Sequence, residues 1–385
     1  MDFSLTFEQQ QIRETIRTFI EKEVIPLEAQ VIRNEIAGRA GLERGQLLEL
    51  QQKAKELGFW GIETPEEFGG ANLGPLMTVF VAMETGRTFV PFTFGGWADN
   101  ILFATNEEQQ QRYLLPTIAG ERISCFALTE PSSGSDARHM RTRAIPDGGD
   151  WVINGEKTFI TSGHEADFAI VFAATGDEGG VTCFLVDRDM GWTSQPIPTM
   201  AGHYTAALSF GDVRVPSENV LGEVDRGFAL AMEWVGEGRF IIAAEAVGAA
   251  ERMLGMAIDY AKNRWSMGHP ISDYQAIQWQ IADSHVEIES VKLLALYAAW
   301  QLQNEYDNRH ASAIAKLSGA AMANRVVDRV MQIHGGMGFT KELPIERWYR
   351  QLRVLRIYEG TDEILRRTIS RNLLKGHVRL GQLGR

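Results

Sequence analysis

The sequence predicts a mainly helical α+β protein. An all-helical N-terminal domain is followed by a small antiparallel β domain and a C-terminal four-helix-bundle-like domain. Amphipathic helical patterns fill the first part of the chain, β-rich runs punctuated by Gly, Asp and Pro fill the middle, and long helical patterns return after Gly222. The chain shows neither βαβ alternation nor a G-x-G-x-x-G sequence opening a helix, so a nucleotide cofactor is not expected in a dinucleotide-binding fold. We place the domains at 1–120, 121–222 and 223–385.

Composition limits the classes of function. The 385 residues, 44% hydrophobic and 23% charged, suffice for a large core divided among domains, and the net charge of −12 argues against binding to a nucleic-acid backbone. Cys125 and Cys183 are too few for a disulfide framework and lack metal-ligand spacing, so we expect no metal site. The N-terminus does not resemble a signal or transit peptide, and no apolar run approaches the roughly 20 residues of a membrane span. We therefore predict a cytoplasmic protein that does not enter a membrane.

The N-terminal part reads as a series of helices. Thr6-Phe7-Glu8-Gln9 is a capping-box pattern, and the apolar residues after it recur at helical spacing as far as Pro26. A second helical stretch runs to about Leu57. After a Gly-rich turn at 67–70, helical patterning resumes over 76–84 and 107–119.

The middle part reads as strands. Phe168–Ala174, Val181–Val186 and Leu208–Val215 are β-rich runs bounded by turn residues. Asn154-Gly155 stands between two further runs and is typical of a two-residue hairpin, because both residues tolerate the positive φ angles of a type I′ turn. We therefore predict a hairpin with its turn at these two residues.

Long helices are predicted for the C-terminal part. The apolar spacing indicates helices over roughly 226–263, 273–304, 309–334 and 362–375. The last is predicted to end at Lys375-Gly376, where Gly can take the left-handed conformation that ends helices.

Two Gly-containing loops are candidates for ligand contacts. Ala127–Ala137 concentrates hydroxyl groups and backbone amides that could donate hydrogen bonds to a phosphate or a polar ring edge, although an inter-domain linker would have a similar composition. Gln332–Phe339 ends a long helical pattern with three glycines, more than a helix C-cap requires. His334 in this segment could be a functional imidazole or a structural one.

Glu359 is the candidate catalytic base. It lies in Arg356–Ile364, at a Gly-marked break between two helical patterns, and a turn between packed elements can aim one side chain into a cleft. Thr361 is predicted to N-cap the helix that follows. On this segment alone, a solvated turn residue is the simpler interpretation.

Taken together, six ordered segments resemble the acyl-CoA dehydrogenase family, flavoproteins that introduce a double bond next to the thioester of an acyl-CoA. The resemblance covers nearly the whole chain. The segments are Pro65–Gly70, Thr129–Asp136, Asn154–Lys157 with Phe159–Thr161, Asp212–Pro216, Gln332–Gly336 and Ile357–Thr361.

The resemblance implies FAD as cofactor and assigns roles by position. Positions that match the family's cofactor contacts are Phe126, Leu128, Thr129, Ser135, Phe159, Thr161, Arg264, Ser266, Gln275, Gln332, Ile333, His334, Gly335, Gly336, Thr361 and Glu363. In the family's tetramers, the 264–275 and 332–336 groups contact the cofactor of a neighbouring subunit. Positions implied to contact the acyl-CoA are Ser135, Arg239, Tyr358 and Gly360.

The implied reaction explains these residue types. Removing a proton beside a thioester leaves charge on the carbonyl oxygen, so the site needs a carboxylate at the carbon and donors at the oxygen. In the family the donors are the amide of the base, here Glu359, and a flavin ribityl hydroxyl, and electrons pass to an electron-transfer flavoprotein. Burial is expected to raise the pKa of the base. The resemblance also implies a homotetramer or dimer.

The sequence departs from the family pattern at several positions. Gly236 stands where many members have Asp, and Phe159 stands where Trp is common. Gly238 occupies an alternative base position used by some relatives and leaves Glu359 without a competitor. The segment 202–208 is shorter than in fatty-acid-specific members and lacks their Arg. Trp97, Phe92 and Phe94 lie where the family builds part of its acyl pocket, but aromatic residues on helices are usually core.

Two alternative functions remain open at this point. An acyl-CoA oxidase would use oxygen to reoxidise the flavin, although such enzymes usually carry an additional C-terminal helical domain. A non-catalytic DNA-binding flavoprotein of the same fold would need a basic surface, which the net charge of −12 does not favour.

Overall fold

A computed structural model describes residues 3–39, 41–95, 100–176 and 179–381. The α-helices are α1 Phe7–Phe19, α2 Glu28–Ile36, α3 Arg44–Glu56, α4 Gly74–Thr85, α5 Glu107–Gln109, α6 Leu115–Ile118, α7 Gly227–Glu237, α8 Arg239–Asn263, α9 Gln275–Gln303, α10 Arg309–His334, α11 Ile345–Arg353 and α12 Asp362–Leu374. The strands are β1 Ser124–Ala127, β2 Arg143–Asp147, β3 Asp150–Thr161, β4 Phe168–Ala174, β5 Val181–Asp187, β6 Thr193–Thr199, β7 Gly202–Pro216, β8 Val220–Leu221, β9 Trp265–Ser266 and β10 His269–Pro270. Helices, a sheet and then long helices follow in the predicted order, which confirms the fold class.

The described residues fall into two compact units. The helical unit is drawn from Met1–Arg33, Leu73–Phe92 and Gly236–Arg385, and the sheet unit from Asn34–Asn72 and Thr93–Val235. Within the described ranges, none of the helices is both long enough and apolar enough to cross a membrane.

Helix α8 is the centre of the helical unit. It packs against α4, α9 and α10, and α11 and α12 pack against α10. Three glycines let these backbones approach closely: a Cβ on Gly248 of α8 would overlap the Met83 carbonyl, and one on Gly86 would overlap the backbone of Glu245. A Cβ on Gly319 of α10 would lie 3.0 Å from the Cα of Ala243 on α8. Small residues therefore set the spacing of these helices.

The start of α1 was predicted correctly, whereas one helix of the C-terminal part was missed. The Thr6 side chain accepts a hydrogen bond from the Gln9 amide, as the capping box requires, so that prediction is confirmed. Helix α11 was missed, although Ile345, Trp348 and Leu352 are buried at helical spacing.

The sheet unit contains one eight-stranded sheet in the order β6-β7-β3-β2-β4-β5-β8, with β1 beside β4. Most pairs are antiparallel, as predicted, but β1 runs parallel to β4, and β2 meets β4 in parallel at Arg143 and Ala174. Strand β4 is buried on both faces. Ala169, Val171 and Ala173 belong to one core cluster, while Phe168, Ile170 and Phe172 belong to the other. Burial on both faces explains the continuous apolar run in its sequence.

The predicted hairpin turn at Asn154-Gly155 is wrong. Both residues lie inside the continuous strand β3, at a register shift in its pairing with β7. The Asn154 side chain donates to Asp212 Oδ1 at 3.1 Å and accepts from the Asp212 amide at 2.9 Å, so it secures a bulge. The real two-residue turn is Gly148-Gly149, between the paired residues Asp147 and Asp150 of β2 and β3.

The close approach of α8 and α4 gives a stability prediction. We expect Gly248→Ala to lower the free energy of unfolding by about 1–3 kcal/mol, because the new methyl group must displace the Met83 backbone. Gly255→Ala on the same helix is the matched control, since no atom of the described residues lies within 4 Å of its added Cβ. The control should be neutral or stabilising by up to about 1 kcal/mol. Urea unfolding distinguishes the two; equal stability of both variants would contradict the packing account.

Candidate active site

The hydroxyl-rich loop after β1 is fastened to strand β3. The Thr158 amide donates to the Thr129 carbonyl at 2.9 Å. Lys157 Nζ donates to the Leu128 carbonyl at 3.1 Å. Within the loop, Glu130 and Ser133 exchange backbone hydrogen bonds of 3.0 and 3.1 Å, which leaves Ser135 exposed on the following stretch. The predicted contacts Leu128 and Thr129 therefore lie beside residues 157–158, next to Phe159.

A buried ion pair stabilises this junction. Lys157 Nζ lies 2.8 Å from Glu130 Oε1, and the two side chains are 0% and 2% exposed. Burial lowers the pKa of Lys157 to about 8 against the opposing attraction of Glu130. For Glu130 burial alone raises the pKa, but Lys157 and the backbone amide of Arg141 outweigh it and hold the pKa below its usual value. Both groups are therefore charged at neutral pH.

Phe159 is held in a strained and exposed conformation. Its φ is +56°, a region that bulky residues rarely adopt, and it lies at the second register shift of β3. The ring is 62% exposed, and Thr161 two residues later is exposed as well. Phe126 at the end of β1 packs its ring against Phe172, with the centroids 4.9 Å apart. An exposed aromatic ring beside several hydroxyl groups fits a flat, polar-edged ring system such as a flavin.

In the helical unit, two cations hold the turn that carries Glu359. Glu359 and Gly360 both have left-handed φ angles, +53° and +93°. Arg239 Nε, at the start of α8, donates to the Glu359 carbonyl at 2.9 Å. Lys316 Nζ, from α10, donates to the Gly360 carbonyl at 2.7 Å. The Thr361 side chain then accepts from the Ile364 amide, which confirms its predicted role as N-cap of α12.

The surroundings of the turn raise the pKa of the Glu359 carboxyl group, as expected for a base. Desolvation raises the pKa of Glu359, in the expected direction, while the positive charges of Arg239 and Lys316 oppose the shift. The Glu359 side chain is half-buried, so protein atoms surround it but solvent still reaches it. Tyr358 beside it also has a raised pKa, caused first by desolvation and then by Glu245 and Glu359.

A third group of predicted residues lies on the surface of the helical unit. Arg264, Ser266, Gln275, Gln332 and Gly336 are exposed, as is Glu363 on the first turn of α12. The Arg264 amide bonds to the Tyr260 carbonyl, and the Tyr260 ring packs against His334 at 4.5 Å between centroids. This contact brings the end of α8 beside the Gln332–Gly336 segment.

Two residues of that segment have buried side chains. Ile333 and His334 are 4% exposed, and His334 Nδ1 bonds to the Val330 carbonyl at 2.8 Å. Burial lowers the pKa of His334. The imidazole therefore serves the packing of α10, as the structural interpretation expected.

The remaining candidates add little to the site. Phe92 and Phe94 are buried. Trp97 lies outside the described residues. Gly236 would bring an added Cβ within 3.4 Å of Arg309 Cδ, and the segment 202–208 is part of β7. Among the described residues, no group of three or more His, Cys, Asp or Glu side chains is placed to hold a metal ion.

Sequence reasoning missed both buried lysines. Lys157 and Lys316 are 0% exposed, although lysine is among the residues least often buried. For Lys157 no local signal existed, because its partner Glu130 lies 27 residues away in the sequence. For Lys316, the surrounding Ala and Ser residues of α10 indicate a buried helix face, on which a lysine needs a partner.

Comparison with known proteins gives a consistent result. Family profiles described as acyl-CoA dehydrogenase N-terminal, middle and C-terminal domain match residues 6–121, 125–213 and 225–374. The chain is 36% identical over 382 residues to the mitochondrial short-chain specific acyl-CoA dehydrogenase of Mus musculus, covering 96% of this chain and 90% of that protein. It is 37% identical over 382 residues to the CarC subunit of a caffeyl-CoA reductase-Etf complex from Acetobacterium woodii, covering 94% and 97%.

A solved structure adds a cofactor to the comparison. A glutaryl-CoA dehydrogenase from Mycobacterium smegmatis in complex with FADH2 superposes with a TM-score of 0.86 at 29% identity. The match covers 98% of this chain and 96% of that one.

The buried ion pair gives a second stability prediction. We expect Lys157→Met to lower the free energy of unfolding by about 3–5 kcal/mol, because it leaves Glu130 charged, buried and unpaired. The double variant Lys157→Met/Glu130→Gln should regain part of this loss, since a neutral amide can still accept from the Thr142 amide. Urea unfolding of the single and double variants measures the coupling. A single variant within about 1 kcal/mol of wild type would show that the pair contributes little.

Proposed function

Because the chain belongs to the acyl-CoA dehydrogenase family, it is an FAD-dependent oxidoreductase, and we propose that Glu359 is the base of its reaction. The reaction is the α,β-dehydrogenation of an acyl-CoA thioester, with electrons passed on to an electron-transfer flavoprotein. The single observation that carries the assignment is the turn at Glu359, held by Arg239 and Lys316 and bearing a desolvated carboxylate.

The carboxylate is suited to removing a weakly acidic proton. Desolvation raises the pKa of Glu359 and makes it a stronger base than a solvated carboxylate, and the two nearby cations oppose this shift by favouring the ionised form. Because Arg239 and Lys316 bind the main-chain carbonyls of the turn, the carboxylate itself stays available to the substrate. Tyr358 and Gly360 flank the base and are the proposed contacts of the acyl group.

The sheet unit supplies the proposed flavin contacts. Phe159 offers an exposed ring, Thr161 an exposed hydroxyl, and the Leu128–Thr129 loop its main chain and hydroxyl groups. When bound, FAD supplies the hydride acceptor of the reaction. Ser135, exposed on the same loop, is a proposed contact of both FAD and the acyl-CoA. Phe126 completes the group through its packing against Phe172.

A homotetramer is the proposed assembly. The exposure of Arg264, Ser266, Gln275 and the 332–336 segment supports it, because in the resemblance these positions contact a cofactor held by a neighbouring subunit. The domain limits 1–120, 121–222 and 223–385 are likewise a proposal, supported by the three profile matches. A cytoplasmic location stays a prediction from the sequence.

Reduction of an α,β-unsaturated acyl-CoA is a second candidate for the physiological direction. The similarity to a subunit of a caffeyl-CoA reductase-Etf complex favours it. The same base and flavin serve both directions, with Glu359 returning the proton instead of removing it. The electron supply then decides which direction the protein follows.

Glu359→Gln tests the base. We expect the variant to bind FAD while the rate of flavin bleaching by acyl-CoA under anaerobic conditions falls by about 100-fold or more, since the amide cannot accept the proton. The substrates are straight, branched, aromatic and dicarboxylic acyl-CoAs. Glu342→Gln, an exposed carboxylate before α11, is the control and should bleach at the wild-type rate. Unchanged bleaching in Glu359→Gln would refute the base, and failure of every substrate with wild type would refute the function.

The direction can be read from the same preparation. Chemically reduced holoenzyme mixed anaerobically with an aryl-acrylyl-CoA should reoxidise rapidly if reduction is the physiological direction. Slow reoxidation by unsaturated thioesters, together with fast reduction by a saturated acyl-CoA, favours dehydrogenation. Hydrogen peroxide released in step with substrate consumption in air would instead identify an oxidase.

A further inference from the structure

Lys316 is a buried cation that donates its hydrogen bond to the main chain. Its side chain is fully buried on α10, and its ammonium donates to the Gly360 carbonyl at 2.7 Å. A buried lysine is costly to keep charged, and burial lowers its pKa to about 8. The partner is the main chain directly after Glu359. This side chain therefore acts on the conformation and the electric field of one turn.

Asp362 is the other carboxylate whose charge acts on Lys316, and it has cationic partners of its own. Asp362 is buried, and its Oδ2 accepts from Arg356 Nε at 2.8 Å and lies 3.7 Å from Arg366 Nη1. Its Oδ1 has no hydrogen-bond partner among the described residues. Asp362 attracts Lys316 electrostatically, but Lys316 donates its hydrogen bond to the Gly360 carbonyl of the turn. A simple buried salt bridge therefore does not account for the lysine.

Lys316 and Arg239 form a matched pair around the turn. Arg239 holds the carbonyl of Glu359, and Lys316 holds the carbonyl of the next residue, Gly360. Gly360 tolerates its positive φ, but the left-handed φ of Glu359 is strained, and such strain persists only where neighbouring groups fix it. The arginine comes from α8 and the lysine from α10, so the turn is gripped from two helices.

We propose that Lys316 is a positioning residue for the base: its ammonium fixes the Glu359–Gly360 turn and stabilises the ionised carboxylate of Glu359. The proposal rests on the proposed function of Glu359. It assigns the lysine no contact with substrate or cofactor. A purely structural lysine would support the fold without moving the titration of Glu359.

The charged groups that act on Glu359 and Lys316 determine the expected pH dependence. Arg239 and Lys316 favour the ionised form of Glu359, while desolvation favours the neutral form. The charged form of Lys316 is favoured by Asp362 and Glu359 and disfavoured by burial and by Arg239. Removing the Lys316 charge therefore raises the pKa of Glu359. Because the base must be ionised to act, the acid limb of kcat/KM moves to higher pH.

The test compares Lys316→Met, which removes both charge and donor, with wild-type holoenzyme. We expect the acid limb of kcat/KM to move up by about one pH unit, which is a roughly tenfold loss of kcat/KM on that limb. Isotope-edited infrared titration of the Glu359 carboxyl, assigned by its disappearance in Glu359→Gln, should show the same upward shift without turnover. Lys292→Met is the matched control, because Lys292 on α9 pairs with Glu251 of α8 and Glu289 of α9, and its loss should leave both midpoints unchanged.

Two further variants keep the test decisive if Lys316→Met does not fold. Lys316→Arg retains the positive charge and should leave the acid limb near its wild-type position. Lys316→Gln retains a hydrogen-bond donor without the charge and should move the acid limb of kcat/KM to higher pH. Folded, flavin-bound Lys316→Gln or Lys316→Met with an unshifted infrared midpoint would overturn the proposal.

The infrared titration also separates this proposal from the assignment of the base. If Glu359→Gln keeps its activity, the base is wrong, but the infrared midpoint still shows whether Lys316 acts on that carboxylate. If Glu359→Gln is inactive and the midpoint does not move in the lysine variants, only the role of Lys316 fails.

Discussion

The close approach of α8 and α10 is the constraint on which the Glu359 turn depends. A Cβ added to Gly319 would lie 3.0 Å from the Cα of Ala243, which is tighter than an ordinary van der Waals contact. Arg239 lies four residues before Ala243, and Lys316 three residues before Gly319, so each cation is about one helical turn from the contact. The backbone contact thus fixes the origins of both side chains that hold the Glu359 turn. Because the two helices cannot separate without losing this contact, the turn inherits their rigidity.

Both units contain a residue in a left-handed conformation whose surroundings are held by a buried lysine. Each has a bulky or charged residue with a left-handed φ angle, Phe159 in the sheet unit and Glu359 in the helical unit. Each also has a buried lysine bonded to a main-chain carbonyl, Lys157 to Leu128 and Lys316 to Gly360. A lysine reaches far from a regular element, and its charge strengthens the bond to a carbonyl in a water-poor setting. Irregular backbone is thereby held by side chains that belong to regular strands and helices.

The sequence predicted those features that depend on local pattern. Helix caps at Thr6 and Thr361 and the strand Phe168–Ala174 follow from neighbouring residues, and the order of helices and strands follows from periodicity. It failed at Asn154, where the side chain that favours a turn bonds instead to Asp212 across the sheet, a partner 58 residues away. The roles of Lys157 and Lys316 were missed for the same reason, because the carbonyls they bind lie 29 and 44 residues distant. Tertiary partners, which no local pattern encodes, decided each of these cases.

The two hydrogen bonds that hold the Glu359 turn have an evolutionary consequence. Arg239 and Lys316 bind peptide carbonyls, a group that every amino acid provides, so both hydrogen bonds remain possible with any residue at position 359 that tolerates the left-handed φ. A lineage could lose or relocate the carboxylate and still inherit an intact binding site. A single substitution at position 359 can therefore remove the carboxylate while both main-chain hydrogen bonds of the turn remain. Arg239 and Lys316 thus hold the conformation of the turn, while the side chain at position 359 alone determines whether a carboxylate is present.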